Sequence, residues 1–377
     1  MSLSLPAEPP AARSLTRVVP RVLDSLGDAT GDLRSVRSAI VFLVDGLGKS
    51  NLHARSGHAR FLTDAMGQRD TVRTVFPSTT ATALTSLMTG EPAGTHGIVG
   101  YSARIPGTDV IANQLHGWER DGLDPYPWQR SEPLFVRESR AGRPTFVVSR
   151  EGYRGSGFTE AIHRGAEFVA GATLAERVDR AAELARAHTG ALVYLYAPEL
   201  DQTGHGRGSA SDAWSDALED VDAAARHLEA AAGADTGILV TADHGMVDVC
   251  HTEHLLLGTG DPLLDGVRLI GGEPRTLHLY AEPGAESEVL RRWRESESRR
   301  SWVLSRDEAI SAGLFGVVHP EVRARIGDVL VAARSRVAYY DDRLEDKTPQ
   351  KMVGQHGSLT DEERIVPLIR LGGYRRS

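Results

Sequence analysis

Three short runs of apolar, largely β-branched residues each break off beside an aspartate. Ser38–Val44 (Ser-Ala-Ile-Val-Phe-Leu-Val) is followed at once by Asp45, residues 191–196 lead within a few positions to Asp201, and Thr236–Thr241 leads to Asp243. An unbroken apolar run of this length, without the polar alternation of a half-exposed strand, is what a strand covered on both faces requires. Residues 145–149 and 365–371 have the same character. Between the runs lie helical patterns. Thr173-Leu-Ala-Glu176 has the form of a capping box and opens an amphipathic stretch to about His188, and residues 211–232 are Ala-rich with an apolar stripe. Strands alternating with helices predict an α/β chain, with a central, mostly parallel sheet and helices on both faces. In such a sheet functional residues collect at the carboxyl ends of the strands, where the three aspartates stand.

The remaining chain reads as two additions to that core. Residues 101–171 are rich in Gly, Pro and aromatics, with few clear elements, and are expected to form a loop-rich cap over the site. Residues 271–342 contain the pattern of a small α+β subdomain: strands near 276–280, 302–304, 328–333 and 336–340, with helices near 286–294 and 306–312. The expected division is a catalytic core of residues 1–270 and 343–377 interrupted by this insertion. The first ten or so residues are biased in composition, and no internal repeat is present.

Charge and cysteine usage exclude several classes. A formal charge of −8 argues against a nucleic-acid backbone as the main ligand, since such proteins carry a basic excess or stripe. A small phosphorylated ligand remains compatible with it. The only lysines are Lys49, Lys347 and Lys351, so a phosphate-anchoring cation would be an arginine. One cysteine, Cys250, allows neither an intramolecular disulfide framework nor a Cys-rich zinc module. No stretch approaches the about 20 apolar residues of a membrane span, and the N-terminus lacks a signal-type apolar core. A cytoplasmic, soluble protein without a membrane partner is expected, and its oligomeric state is left open.

Five motifs carry chemistry: Val44-Asp45-Gly46, Phe76-Pro77-Ser78-Thr79-Thr80, Asp201-Gln202-Thr203-Gly204-His205, Ala242-Asp243-His244-Gly245 and Gln355-His356-Gly357. Asp201 and His205, four apart, share one face of a helical turn and offer carboxylate and imidazole to a zinc-like ion. A capping Asp with a surface His is the plain alternative. Asp243 and His244, adjacent at a strand end, can point to opposite sides and serve two ions, or make an ordinary turn. Asp45-Gly46 is equally a strand-to-loop turn, and His356 lies in a glycine-flanked loop where a lone His commonly faces solvent. Residues 76–90 read as a Pro-led entry to a short helix ended by Gly90. A hydroxyl in its first turn sits where unpaired N–H groups favour an anion, and a metal-acidified threonine there could attack phosphorus. The hydroxyls of Ser78, Thr79 and Thr80 could equally be caps.

Taken jointly and in this order, the motifs resemble the alkaline phosphatase superfamily, and within it the nucleotide pyrophosphatase/phosphodiesterase branch. The resemblance covers about residues 38–100, 191–247 and 351–371. It implies two zinc ions, other divalent ions being alternatives, one held by Asp201, His205 and His356 and one by Asp45, Asp243 and His244 beside the nucleophile. Aligning Phe76-Pro77 and Thr89-Gly90 with the family pattern places the nucleophile, itself a metal contact, at Thr80, with Thr79 the neighbouring candidate. The implied activity is cleavage of a phosphodiester or nucleotide pyrophosphate through a threonyl-phosphate. The branch usually has Asn three residues after the nucleophile, where this chain has Ala83. Ala81 N–H, Thr82, Thr85 or an arginine is expected to serve in its place. Trp118, His251 and His254 are further candidates for contact with a substrate that could be a nucleotide. The same ligand set would also serve a phosphomonoesterase, a phosphonate hydrolase or an idle metal-dependent ligand-binding protein, and the lost Asn is the feature that favours the last.

Overall fold

The computed structural model describes residues 5–6, 13–27 and 31–376. The biased N-terminal segment lies, apart from Leu5 and Pro6, outside the described residues. The labelled strands are β1 (Ser38–Val44), β2 (Thr71–Arg73), β3 (Thr145–Ser149), β4 (Glu167–Ala170), β5 (Leu192–Ala197), β6 (Thr236–Thr241), β7 (Val267–Glu273), β8 (Thr276–Ala281), β9 (Ser301–Ser305), β10 (Val329–Ala333) and β11 (Ile365–Gly372). The labelled helices are α1 (Thr80–Thr89), α2 (Gly157–His163), α3 (Leu174–Ala187), α4 (Glu199–Arg207), α5 (Asp212–Ala232) and α6 (Glu286–Glu297).

Seven strands form the central sheet in the order β2-β11-β6-β1-β5-β3-β4. The pairs β6-β1, β1-β5, β5-β3 and β3-β4 are parallel, while β11 runs antiparallel to both β6 and β2. The apolar runs fill its middle: every residue of β1 and β6 is buried. With both faces covered there is no solvent side to demand alternation, which is why these strands read as continuous runs.

The helices begin where the sequence marks them. Thr173 accepts the N–H of Glu176 at 3.1 Å, and the Glu176 carboxylate accepts the N–H of Ala172 at 2.8 Å. Ser211 caps α5 through the N–H of Trp214 at 3.2 Å, and Trp214 is buried beneath it. α3 and α5 pack on each other and feed one large apolar cluster with the sheet strands. Burying that cluster is the main driving force, at roughly 25 cal/mol per Å² of apolar surface.

Residues 101–171 hold more than loops. β3 and β4 lie within them and extend the central sheet to its edge, and α2 packs beside them. Beyond β6, the strands β7-β8-β10-β9 form a four-stranded antiparallel sheet in that order, with α6 against it and an apolar cluster of its own around Val289, Trp293 and Val331. β7 starts at Val267, four residues before the boundary expected at 271. Ala338–Asp341 does not join this sheet but pairs in parallel with His254–Leu257. No helix among the described residues is long and apolar enough to cross a membrane.

Candidate metal centre

Asp45, Asp201 and Asp243 come together because β5, β1 and β6 are neighbours and all three end on the same edge. Asp45 extends the ladder, its N–H donating to Ala197 O at 2.9 Å, and Gly46 then turns away at φ +75°. A Cβ on Gly46 would lie 3.1 Å from Asp201 Cα, so only glycine lets the Asp201 turn approach this closely. The Gly46 N–H donates to Asp243 Oδ1 at 3.2 Å, tying two of the aspartates together. After His244 the chain passes through Gly245, where a Cβ would stand 2.1 Å from Glu362 O.

The side chains converge on a small volume. His244 Nε2 lies 3.3 Å from Asp45 Oδ1 and 3.4 Å from Asp243 Oδ2. His205 Nε2 is 3.3 Å and His356 Nε2 3.8 Å from Asp201 Oδ1. Ligand atoms of Asp45, Asp243 and His244 lie within 4.8 Å of one another, and so do those of Asp201, His244 and His356. His244 therefore stands between the two groups, and His205 joins the second through Asp201.

Each imidazole is held by its other nitrogen. Nδ1 of His205, His356 and His244 contacts the carbonyls of Gly354 (2.8 Å), Ser78 (3.0 Å) and Gly245 (3.2 Å). A carbonyl only accepts, so Nδ1 carries the proton and the Nε2 lone pair faces the cluster. Tyr196 donates its hydroxyl to Asp45 Oδ2. Asp45 Oδ1, Asp201 Oδ1 and Asp243 Oδ2 are buried with no hydrogen-bond partner. Burial, then Asp243 and Asp201, push the Asp45 carboxyl well above its usual range. Burial, then His244 and His205, push His356 well below its own. Three orphaned carboxylate oxygens facing three imidazole lone pairs form a donor set that a divalent cation satisfies and that protons do not. Mixed imidazole and carboxylate ligation fits a zinc-like ion.

Thr80 is the first residue of α1, with Thr79 extended before it as the N-cap. Its Oγ1 is 3.1 Å from His244 Nε2, the nitrogen shared by both ligand groups. The N–H groups of Ala81 and Thr82 fall in the first turn, where no intrahelical carbonyl reaches them. The neighbouring hydroxyls are engaged elsewhere: Ser78 donates to Ser358 O at 2.7 Å, and the Thr79 hydroxyl bonds Glu273.

A cavity of about 470 Å³ opens from Asp45, Thr80, Asp201, His205 and His356. Thr82, Thr85, Trp118, His251 and His254, expected to touch substrate, are not among the lining residues, whereas Ala81 is expected to act through its backbone N–H. Ala81, Thr82 and Thr85 are buried within α1, and Thr85 donates back to Ala81 O at 2.6 Å. Every residue of α1 is buried, and of its hydroxyls only that of Thr80 belongs to a residue lining the cavity. Trp118 packs against Phe158, ring centroids 6.4 Å apart, and is 2% exposed. His251 and His254 pair with each other beside Tyr340, and neither lines the cavity. Among the described residues no arginine lines the cavity. The lining residues outside the expected set include Tyr196, and Glu273, whose Oε1 is buried without a partner. Tyr196 carried a signal, since strand alternation at the end of β5 turns it toward the site.

The family model of type I phosphodiesterase / nucleotide pyrophosphatase matches residues 39–359. Among solved structures, human ectonucleotide pyrophosphatase / phosphodiesterase 5 is similar at 18% identity and TM-score 0.70, over 89% of this chain and 88% of that one. An inactive form of the murine protein in complex with AMP is similar at 18% identity and TM-score 0.67, over 89% and 88%. Phosphonoacetate hydrolase from Sinorhizobium meliloti 1021, in complex with phosphonoformate, is similar at 20% identity and TM-score 0.66, over 90% and 91%. At these identities the likeness speaks to the fold.

Proposed function

The chain belongs to the type I phosphodiesterase / nucleotide pyrophosphatase family, and from that premise we propose that it is a two-zinc hydrolase that cleaves a phosphodiester or nucleotide pyrophosphate through a phosphorylated Thr80. The observation that carries this is the Thr80 hydroxyl, 3.1 Å from the imidazole that stands between two groups of unsatisfied ligand atoms. Asp45, Asp243 and His244 would hold one ion, and Asp201, His205 and His356 the other. Bound there, divalent ions acidify a hydroxyl and offset charge growing on phosphoryl oxygens. Thr80 Oγ, its proton passing to solvent, forms a bond to phosphorus as the bond to the leaving oxygen breaks, and the departing group takes a proton from solvent. Water then attacks the same phosphorus, and Thr80 leaves with a proton. The Ala81 N–H, at the positive end of α1, is placed to donate to a phosphoryl oxygen. Thr82 keeps an unpartnered buried hydroxyl but no side-chain path to the cavity.

Tyr196 orients Asp45, as the outer partners of ligating carboxylates do. Phosphonate cleavage is the second reading, favoured by the likeness to phosphonoacetate hydrolase. An exposed lone cysteine, Cys250, suits a reducing compartment, and the cytoplasm is the proposed location.

Hydrolysis of bis-p-nitrophenyl phosphate is the test. The expected result is turnover that is lost with a chelator and restored by Zn²⁺. No metal-dependent turnover of this diester, of nucleotide pyrophosphates, of monoesters or of phosphonates would leave only the non-catalytic alternative.

A further inference from the structure

The cavity is much larger than a phosphoryl group requires, and its far part is built unlike its mouth. Pairing register sets Phe168 of β4, Val147 of β3 and Tyr194 of β5 abreast in one row, so their side chains share one face of the sheet. All three line the cavity. The small Val147 lies between two rings, and the next lining residue along β3 is the small Ser149, which leaves a chamber over the sheet face. Leu84 of α1 and Phe158 of α2 also line it. No lysine or arginine is among the lining residues.

Two polar atoms in this chamber are buried and unpartnered: the Tyr194 hydroxyl and His163 Nε2. Their rings lie 4.7 Å apart, and both residues line the cavity. Burial lowers His163 to about 3, so the imidazole is neutral there. The tyrosine itself is 1% exposed. Two orphaned uncharged groups within apolar walls have the form of a small-molecule site, in which a few polar atoms fix orientation.

We propose that the chamber seats the organic group of the substrate, and that this group is an uncharged, mainly alkyl or aryl alcohol whose one hydrogen-bonding function meets Tyr194 and His163. The proposal rests on the phosphoesterase reading of the metal centre and narrows it. Further phosphates, or the carboxylate of a phosphonate acid, would enter an apolar chamber with no cation to receive them. A ribose would set several hydroxyls against the Leu84, Phe158 and Phe168 side chains, which offer them no partner. An alkyl chain instead gains by leaving water, at roughly fourfold in binding per buried methylene.

The test uses p-nitrophenyl phosphodiesters whose second ester group runs from methyl to octyl, beside the thymidine 5′-ester. The expected kcat/KM rises by roughly fourfold per methylene until the chamber is full, and exceeds that of the thymidine ester by at least about tenfold. Val147→Trp, which fills the space between Phe168 and Tyr194, should collapse the octyl-to-methyl ratio by at least about tenfold. Should that variant fail to fold, inhibition of the unaltered protein by alkylphosphonates of rising length gives the same readout. A ratio indifferent to chain length, or a preference for the thymidine ester, overturns the proposal while leaving the phosphoesterase reading intact. If no diester turns over, that reading fails, and calorimetry with the alkylphosphonates still decides whether affinity grows with chain length.

Discussion

Thr80→Ala is expected to lower kcat on a phosphodiester by about 10³-fold or more, because removing a nucleophile leaves only binding and electrostatic catalysis. Zinc content, measured on the same sample, should stay near that of the unaltered protein, since three other side chains remain at each proposed ion. Thr79→Ala, whose hydroxyl bonds Glu273 rather than a ligand imidazole, should cost less than about tenfold, the scale of a lost neutral hydrogen bond. Activity that survives in Thr80→Ala but vanishes in Thr79→Ala would move the nucleophile by one residue. Activity that survives in both would remove the threonyl-phosphate from the mechanism.

The second large effect is on stability. Arg275, at the turn between β7 and β8, is 0% exposed and grips Glu363 with two bonds of 2.9 and 2.8 Å. It also donates to Ser335 O at 2.7 Å and Val337 O at 3.0 Å. Glu363 in turn accepts the N–H of Ser358 at 2.9 Å, two residues after His356. This pair therefore joins the four-stranded sheet to the loop that carries a proposed ligand. Arg275→Ala leaves a buried carboxylate without its cation and is expected to cost about 3–5 kcal/mol, read from the midpoint of denaturant unfolding. Arg275→Met combined with Glu363→Leu should recover only part of that loss, because it removes the unpaired charge but leaves Ser335 O, Val337 O and the Ser358 N–H without their partners. An unchanged midpoint in the single variant would show the pair to be dispensable.

How much was legible in the sequence followed the physics of burial. β1, β5 and β6 announced themselves because strands covered on both faces are unbroken apolar runs, and their order in the sheet made the aspartates at their ends meet. β2, three residues long, and β4, an edge strand whose residues are all partly exposed or exposed, carry no such run and were not seen. The clustered histidines were readable only as a set, since the rings of His205 and His356 are fixed by backbone carbonyls distant in sequence. The hydroxyls of Thr82 and Thr85 and the ring of Trp118 read in the sequence as a ligand surface, and none of these residues lines the cavity. The cavity walls could not be read at all, because Val147, Phe168 and Tyr194 become neighbours only through strand register.

Six side chains that make two ion sites around Thr80 should show themselves first in zinc stoichiometry. Metal-free protein titrated with Zn²⁺ by calorimetry should bind two ions per chain, with hydrolysis of bis-p-nitrophenyl phosphate returning as they fill. Asp243→Ala and His356→Ala should each remove one of the two, from opposite groups. Protein that binds no zinc, or two alanine variants that both retain two ions, would contradict the account.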